Sequence, residues 1–153
     1  MRVSFTVPGE PVSQPRQRHR IIPGQKFAHN YTPAKAPVNA FKAMVRLVAS
    51  QAYTGPLIDE PVRIHCSFVF SRPKSHYRTG AHSNELKANA PTWHASRPDR
   101  DNCDKSVLDA LKGVVLADDK CACAGELIKR YTRADEQPYT KIEIETISEG
   151  EPE

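Results

Sequence analysis

From Val62 to Phe70 the chain alternates: Val62, Ile64, Cys66, Phe68 and Phe70 are apolar, with Arg63, His65 and Ser67 between them. In a strand successive side chains point to opposite faces, so this run has one apolar face to cover and two backbone edges to pair. A chain holding such a segment must build a sheet around it. Arg2–Val7 repeats the pattern, with Val3, Phe5 and Val7 against Arg2, Ser4 and Thr6, and ends at the turn signal Pro8-Gly9. Glu126–Arg133 and Tyr139–Ile147 read as further strands, and a short one is expected near Lys26–Tyr31.

What covers the sheet is written in a second period. Val38, Phe41, Val45, Val48 and Ala52 recur at steps of three and four, which predicts an amphipathic helix from about Ala36, stopped by Thr54-Gly55-Pro56. A second helix is expected from Asp101 or Asn102 to Lys112, with Asp101 as its N-cap, Gly113 at its end and an apolar side of Val107, Leu108 and Leu111. The expected fold is α/β in the broad sense (α+β), a small mixed sheet with two main helices packed on it. At 153 residues the chain suits one domain, expected over residues 1–147, with 148–153 as an acidic, poorly ordered tail.

No apolar run approaches the roughly 20 residues that cross a bilayer, and the alternating N-terminus is neither signal nor transit peptide. Four cysteines without a signal sequence fit free thiols in a reducing cytoplasm. Charge is uneven: residues 1–58 hold eight Lys/Arg and one acid, Glu10, whereas residues 134–153 hold seven acids and one base, Lys141. A basic N-terminal third suits a phosphate-rich partner; a solvated surface is the plainer reading.

The chemistry concentrates around the second helix. Asp99 and Asp101 stand at its entrance, and Asp118 and Asp119 follow its end. If the chain after the helix folds back beside the helix start, four carboxylates converge and call for a hard divalent cation. Otherwise Asp101 only caps a helix and the other acids face water. A calcium loop is excluded, because the sixth position counted from Asp99 is Asp104 and not Gly, and the twelfth is Ala110. Lys105 lies four residues from both Asp101 and Asp109, placed either for an intrahelical ion pair or for steadying a phosphate. Trp93 is read as packing or as a stacking surface, and His94 as a surface or core-edge residue or a DNA contact. Cys121-x-Cys123 is a poor zinc spacing.

PDRDNCDKSVLDALKGVVLADD (98–119) resembles the core motif of RusA-type Holliday junction resolvases, PDxDNxxKxxxDALxGxxxxDD, at every fixed letter. VPGEPVSQPRQRHR followed by YTP is similar to that family's opening, VPGxPxxKxRPR…YTP, so the likeness runs over about residues 1 to 147. It implies a homodimeric, Mg²⁺-dependent endodeoxyribonuclease, with Mn²⁺ as a substitute, that cuts four-way and other branched DNA in recombination and repair. Its setting would be the cytoplasm of a bacterium or of a phage host. The resemblance implies Asp99, Asp101 and Asp119 as catalytic metal ligands, Lys105 as the essential lysine and Asp118 as the adjacent acid, a further ligand or a support behind the ligands. Arg16, Arg18, Arg20, Arg72, Lys74, Arg97 and Arg100 are the candidate DNA-contacting groups. The chain departs from the pattern at Gln14-Pro15-Arg16-Gln17-Arg18, at Cys103 and at Cys121 and Cys123, and its 74–91 loop is long. Competing readings are a DNA-binding protein of the same fold without cleavage, and a metal-dependent nuclease for other DNA or RNA structures.

Overall fold

The computed structural model describes residues 1–15, 18–26, 28–31, 33–148 and 150, with the backbone alone for 18–20 and 28–31. Arg16 and most of the acidic tail (149 and 151–153) therefore lie outside the described residues.

The elements run β1 (Arg2–Pro8), β2 (Arg18–Ile21), β3 (Ala28–Tyr31), α1 (Pro37–Ala52), β4 (Val62–Phe70), α2 (Arg100–Leu111), β5 (Ala122–Ala124), β6 (Leu127–Tyr131) and β7 (Tyr139–Thr146). This is the expected mixed sheet with two helices. β2 and β5 were not foreseen: RHRI and ACA are too short and too polar or small to show a period. The long 74–91 loop contains two short 3-10 turns, Lys74–His76 and Gly80–His82.

The alternating strand β4 takes the centre. β7 pairs with it antiparallel and carries β1 on its far side, also antiparallel. The other edge of β4 is shared: β5 pairs in parallel near Val62, and β6 pairs in parallel from Cys66 to Phe70. Parallel neighbours need a crossover, and α2 supplies it. Between β5 and β6 the chain passes so close to β4 that a Cβ on Gly125 would lie 1.7 Å from the Ile64 carbonyl oxygen, at φ +136°. Only glycine fits there. β2 and β3 form a separate antiparallel hairpin.

Val38, Phe41, Val45 and Ala49 of α1 and Cys103, Val107, Ala110 and Leu111 of α2 are buried, and both helices close over the sheet. Phe68, Ile142 and Ile144 are fully buried in the same core, where truncating a large side chain costs about 3–5 kcal/mol. This core fixes the position of α2, and with it every motif residue. The apolar face of Val62–Phe70 and the α1 residues Phe41 and Val45 are buried inside one chain, and Val48 of the same stripe is half-buried. The outward apolar residues of α1 are instead Met44 and Leu47.

Candidate active site

At the N-terminal end of α2, Asp99 holds the N-cap position in extended backbone (φ −70°, ψ 147°), and its carbonyl accepts from the Cys103 N–H at 3.2 Å. Its side chain makes no capping bond. The cap expected at Asp101 therefore moves two residues upstream, because the helix begins at Arg100 and Asp101 falls in its first turn. Both carboxylates are exposed, and neither forms an ion pair among the described residues. The amino end of a helix favours negative charge, which suits both. Their field reaches inward: burial pushes the Cys103 thiol up to about 11, with Asp101, Asp99 and Asp104 adding to the rise against Lys129.

The C-terminal end of α2 carries the other acids. Gly113 (φ +76°) turns the chain out of the helix, and the following segment bridges to Ile58 through Leu116. It does not return along α2. The convergence of all four carboxylates is therefore not formed within one chain. From Asp101 to Lys112 the helix rises about 16 Å at roughly 1.5 Å per residue. Among the described residues no group of three or more His, Cys, Asp or Glu is placed to hold a metal ion.

Lys112, at the helix end, donates to Asp118 at 2.6 Å and lies 3.8 Å from Asp119. Asp118 also accepts from the Lys120 N–H at 3.1 Å, capping a 3-10 turn at Asp119–Cys121. The Lys112 hydrogen bond, aided by that N–H and by Asp119, holds the Asp118 carboxyl well below the usual carboxylate range. The same bond raises the Lys112 ammonium.

Lys105 is exposed on α2 and makes no ion pair among the described residues. The intrahelical pair with Asp109 does not form, because Asp109 is taken by Lys42 of α1 at 3.2 Å. Lys74, Arg97 and Arg100 are exposed. Arg18 and Arg20 lie on β2. Arg72 serves the fold instead. Its guanidinium donates to the Thr132 and Pro91 carbonyls, both at 2.7 Å, and sits over the Tyr131 ring. It pins the long loop to the sheet. His94 is buried at the core edge, stacked on Phe70 at 4.0 Å, and burial, then Lys129, lowers its pKa. Trp93, whose backbone bridges to Arg130, is 64% exposed, which overturns packing as its role.

Sequence reasoning passed over two features. Lys112 resembles any cation at a helix end. The second is a recess beside Asp99, lined by Ser13, Gln14, Pro15, Arg97, Pro98 and Asn102. Only the departure from the family's lysine at Gln14 hinted at it.

Exposed carboxylates at a helix entrance, with an exposed lysine one turn further on, suit phosphoryl chemistry. Comparison with known proteins agrees. The family model described as endodeoxyribonuclease RusA matches residues 8–145, nearly the whole chain. The chain belongs to that family of Holliday junction resolvase-type endonucleases. It is also 33% identical over 146 residues to the uncharacterized protein YqaN of Bacillus subtilis (strain 168), covering 95% of this chain and 97% of YqaN.

Proposed function

We propose that this chain is a divalent-metal-dependent endodeoxyribonuclease that resolves four-way DNA junctions, in recombination or repair, as a homodimer in the cytoplasm of a bacterium or phage-infected cell. The observation that carries this reading is the family's complete acidic motif with Asp99, Asp101 and Lys105 exposed, and without ion pairs among the described residues, at one end of a helix fixed by the core. Among the described residues no helix is long and apolar enough to cross a membrane.

The donor set fits Mg²⁺ or Mn²⁺. Carboxylate oxygens suit hard cations, and Mg²⁺ is commonly held by one or two carboxylates with water and substrate phosphate completing its shell. Asp99 and Asp101 would hold the ion, with Asp119 and Asp118 as the second pair. When bound, it activates water and offsets phosphate charge. Lys105 contributes positive charge to the phosphate as negative charge builds in the transition state. Arg97, Arg100 and Lys74, with Arg16, Arg18 and Arg20 of the N-terminal arm, hold the backbone of the arms.

Two symmetric cuts need two sites, and a two-fold axis supplies them. The acids at the two ends of α2 favour the same conclusion. An axis that sets two α2 helices antiparallel brings the Asp99–Asp101 end of one copy towards the Asp118–Asp119 end of the other. The test is one gel series with a synthetic four-way junction, a duplex and a single strand, each with Mg²⁺ or chelator. Paired nicks near the branch point, only with metal, are expected. Metal-independent binding without cutting would leave a binding protein, and preferential cutting of flaps or RNA would change the substrate.

A further inference from the structure

The hairpin of β2 and β3 forms a sheet of its own, apart from the five-stranded one. Its turn is Ile22-Pro23-Gly24-Gln25, where the Gln25 N–H donates to the Ile22 carbonyl at 3.0 Å and Gly24 has φ +88°. Proline followed by a glycine at positive φ is the pattern of a type II turn, and the proline ring stiffens it. Hairpin tips are ordinarily built from polar residues and glycine. Here β2 ends in Ile21, 75% exposed, and the turn opens on Ile22, 38% exposed. A Cβ on Gly24 would meet nothing within 4 Å, so the tip stands clear of the rest of the chain. An isolated exposed apolar residue is ordinary, but two adjacent isoleucines on a stiff turn make a projecting apolar point.

The charge and the root of the hairpin select its partner. Arg18, Arg20 and Lys26 belong to it, and the chain has no acid between Glu10 and Asp59. The segment that leads into it is fastened to the first turn of α2, where the Gln14 N–H donates to the Asn102 carbonyl at 2.9 Å. From Pro15 to Ile22 the chain reaches at most about 25 Å, so the tip works close to the Asp99–Asp101 end. Resting on the nuclease reading, we propose that Ile21-Ile22-Pro23 is an apolar wedge that enters the branch point of the DNA. The basic stem follows the phosphates while the tip goes between bases, a use to which isoleucine and proline are well suited. In an intact duplex such a wedge must break stacking. At a branch point the bases are already poorly stacked, so entry costs little. A stiff turn also loses little freedom on entry. The consequence is that preference for branched over linear DNA resides in the tip and does not depend on base identity.

The test uses full-length protein, a four-way junction carrying 2-aminopurine at the branch, and a linear duplex with the same arm sequence, all with chelator. Wild type should brighten the 2-aminopurine on binding and hold the junction at least about tenfold tighter than the duplex. Ile21→Ser combined with Ile22→Ser should leave the fluorophore dark and weaken junction binding about tenfold, with duplex binding within about twofold. Ile21→Leu combined with Ile22→Leu keeps the tip apolar and should restore both readings. If the urea midpoint of the serine variant falls, Ile21→Thr with Ile22→Thr keeps the branched shape and takes its place. Equal losses on junction and duplex, or a wild-type complex whose 2-aminopurine stays dark, overturn the wedge. A serine variant that sediments as a monomer where wild type is a dimer also overturns it, because the tip is then a contact between copies. Metal-dependent junction cutting by wild type beside any of these results leaves the nuclease reading standing. Failure of wild type to bind or cut any junction overturns that reading and the wedge with it.

Discussion

The two ends of α2 hold the same functional groups in opposite electrostatic states. At the amino end, Asp99 and Asp101 are exposed, and neither forms an ion pair among the described residues. At the carboxyl end, Asp118 is already neutralised by Lys112 at 2.6 Å, with Asp119 within 3.8 Å. On the proposed reading, the first pair would take a divalent ion without displacing a cation. The second must give up an ammonium to take one. Acid count alone would have treated the four residues as equal, and the structure ranks them.

The ranking is broken or upheld most directly at Asp101. Asp101→Asn removes one charge from an exposed first-turn position, so the fold and junction binding should survive. If Asp101 holds the metal as proposed, junction cutting should fall by at least about 100-fold. Single-turnover cutting beside a gel-shift measurement checks this. Undiminished Mg²⁺-dependent cutting would remove Asp101 from the site. Lys105→Met comes next, with a loss of about 10- to 100-fold in the cutting step and little change in binding. If binding falls as far as cutting does, Lys105 is only a backbone contact.

How much of this was legible in the chain varies with the physics behind each feature. β1, β4, β7 and both helices show as periods, because burial on one face leaves a trace at every second or every third to fourth residue. β5 has three residues and is held by parallel pairing to β4, a partner 60 positions away in sequence, so nothing local announces it. The motif acids were legible as a set, but their arrangement was not. Where Asp118 and Asp119 land depends on the turn at Gly113 and on the bridge from Leu116 to Ile58, both tertiary facts. The fold contacts of Arg72 were hidden for a similar reason: nothing local in a loop arginine announces the two carbonyls of its own chain that it holds.

Lys112→Met sharpens the comparison with a smaller effect. It frees Asp118 and lets its carboxyl return towards the ordinary range, since the Lys112 hydrogen bond is the main cause of its low pKa. If the carboxyl-end acids join the metal site, the Mg²⁺ concentration for half-maximal cutting should shift by a few-fold, because the ammonium no longer competes with the cation. A titration of cutting rate against Mg²⁺ reads this out. An unchanged titration would confine metal binding to the amino end.

The smallest effect falls on an ion pair with no place in the site, and it separates structural charge from functional charge. Glu136 receives both ends of the Arg130 guanidinium, at 2.6 and 2.9 Å, and the Arg133 N–H at 2.7 Å, while Arg130 also reaches the Tyr139 hydroxyl at 2.9 Å. This network ties β6 to the start of β7. The Arg130 hydrogen bonds lead the causes that lower the Glu136 carboxyl from 4.5 to about 2. A depressed folded-state pKa means that the ionised form stabilises the fold. That contribution is complete above about pH 4.5 and is lost as pH falls towards about 2. Glu136→Gln should therefore cost on the order of 1 kcal/mol near neutral pH, after allowance for partial exposure. The gap from wild type should close as the solution is acidified through that window. Urea unfolding at several pH values measures it, and a gap that stays constant down to about pH 3 would reject the assignment. Junction cutting at neutral pH should be unaffected, because the pair stabilises the sheet without touching either end of α2.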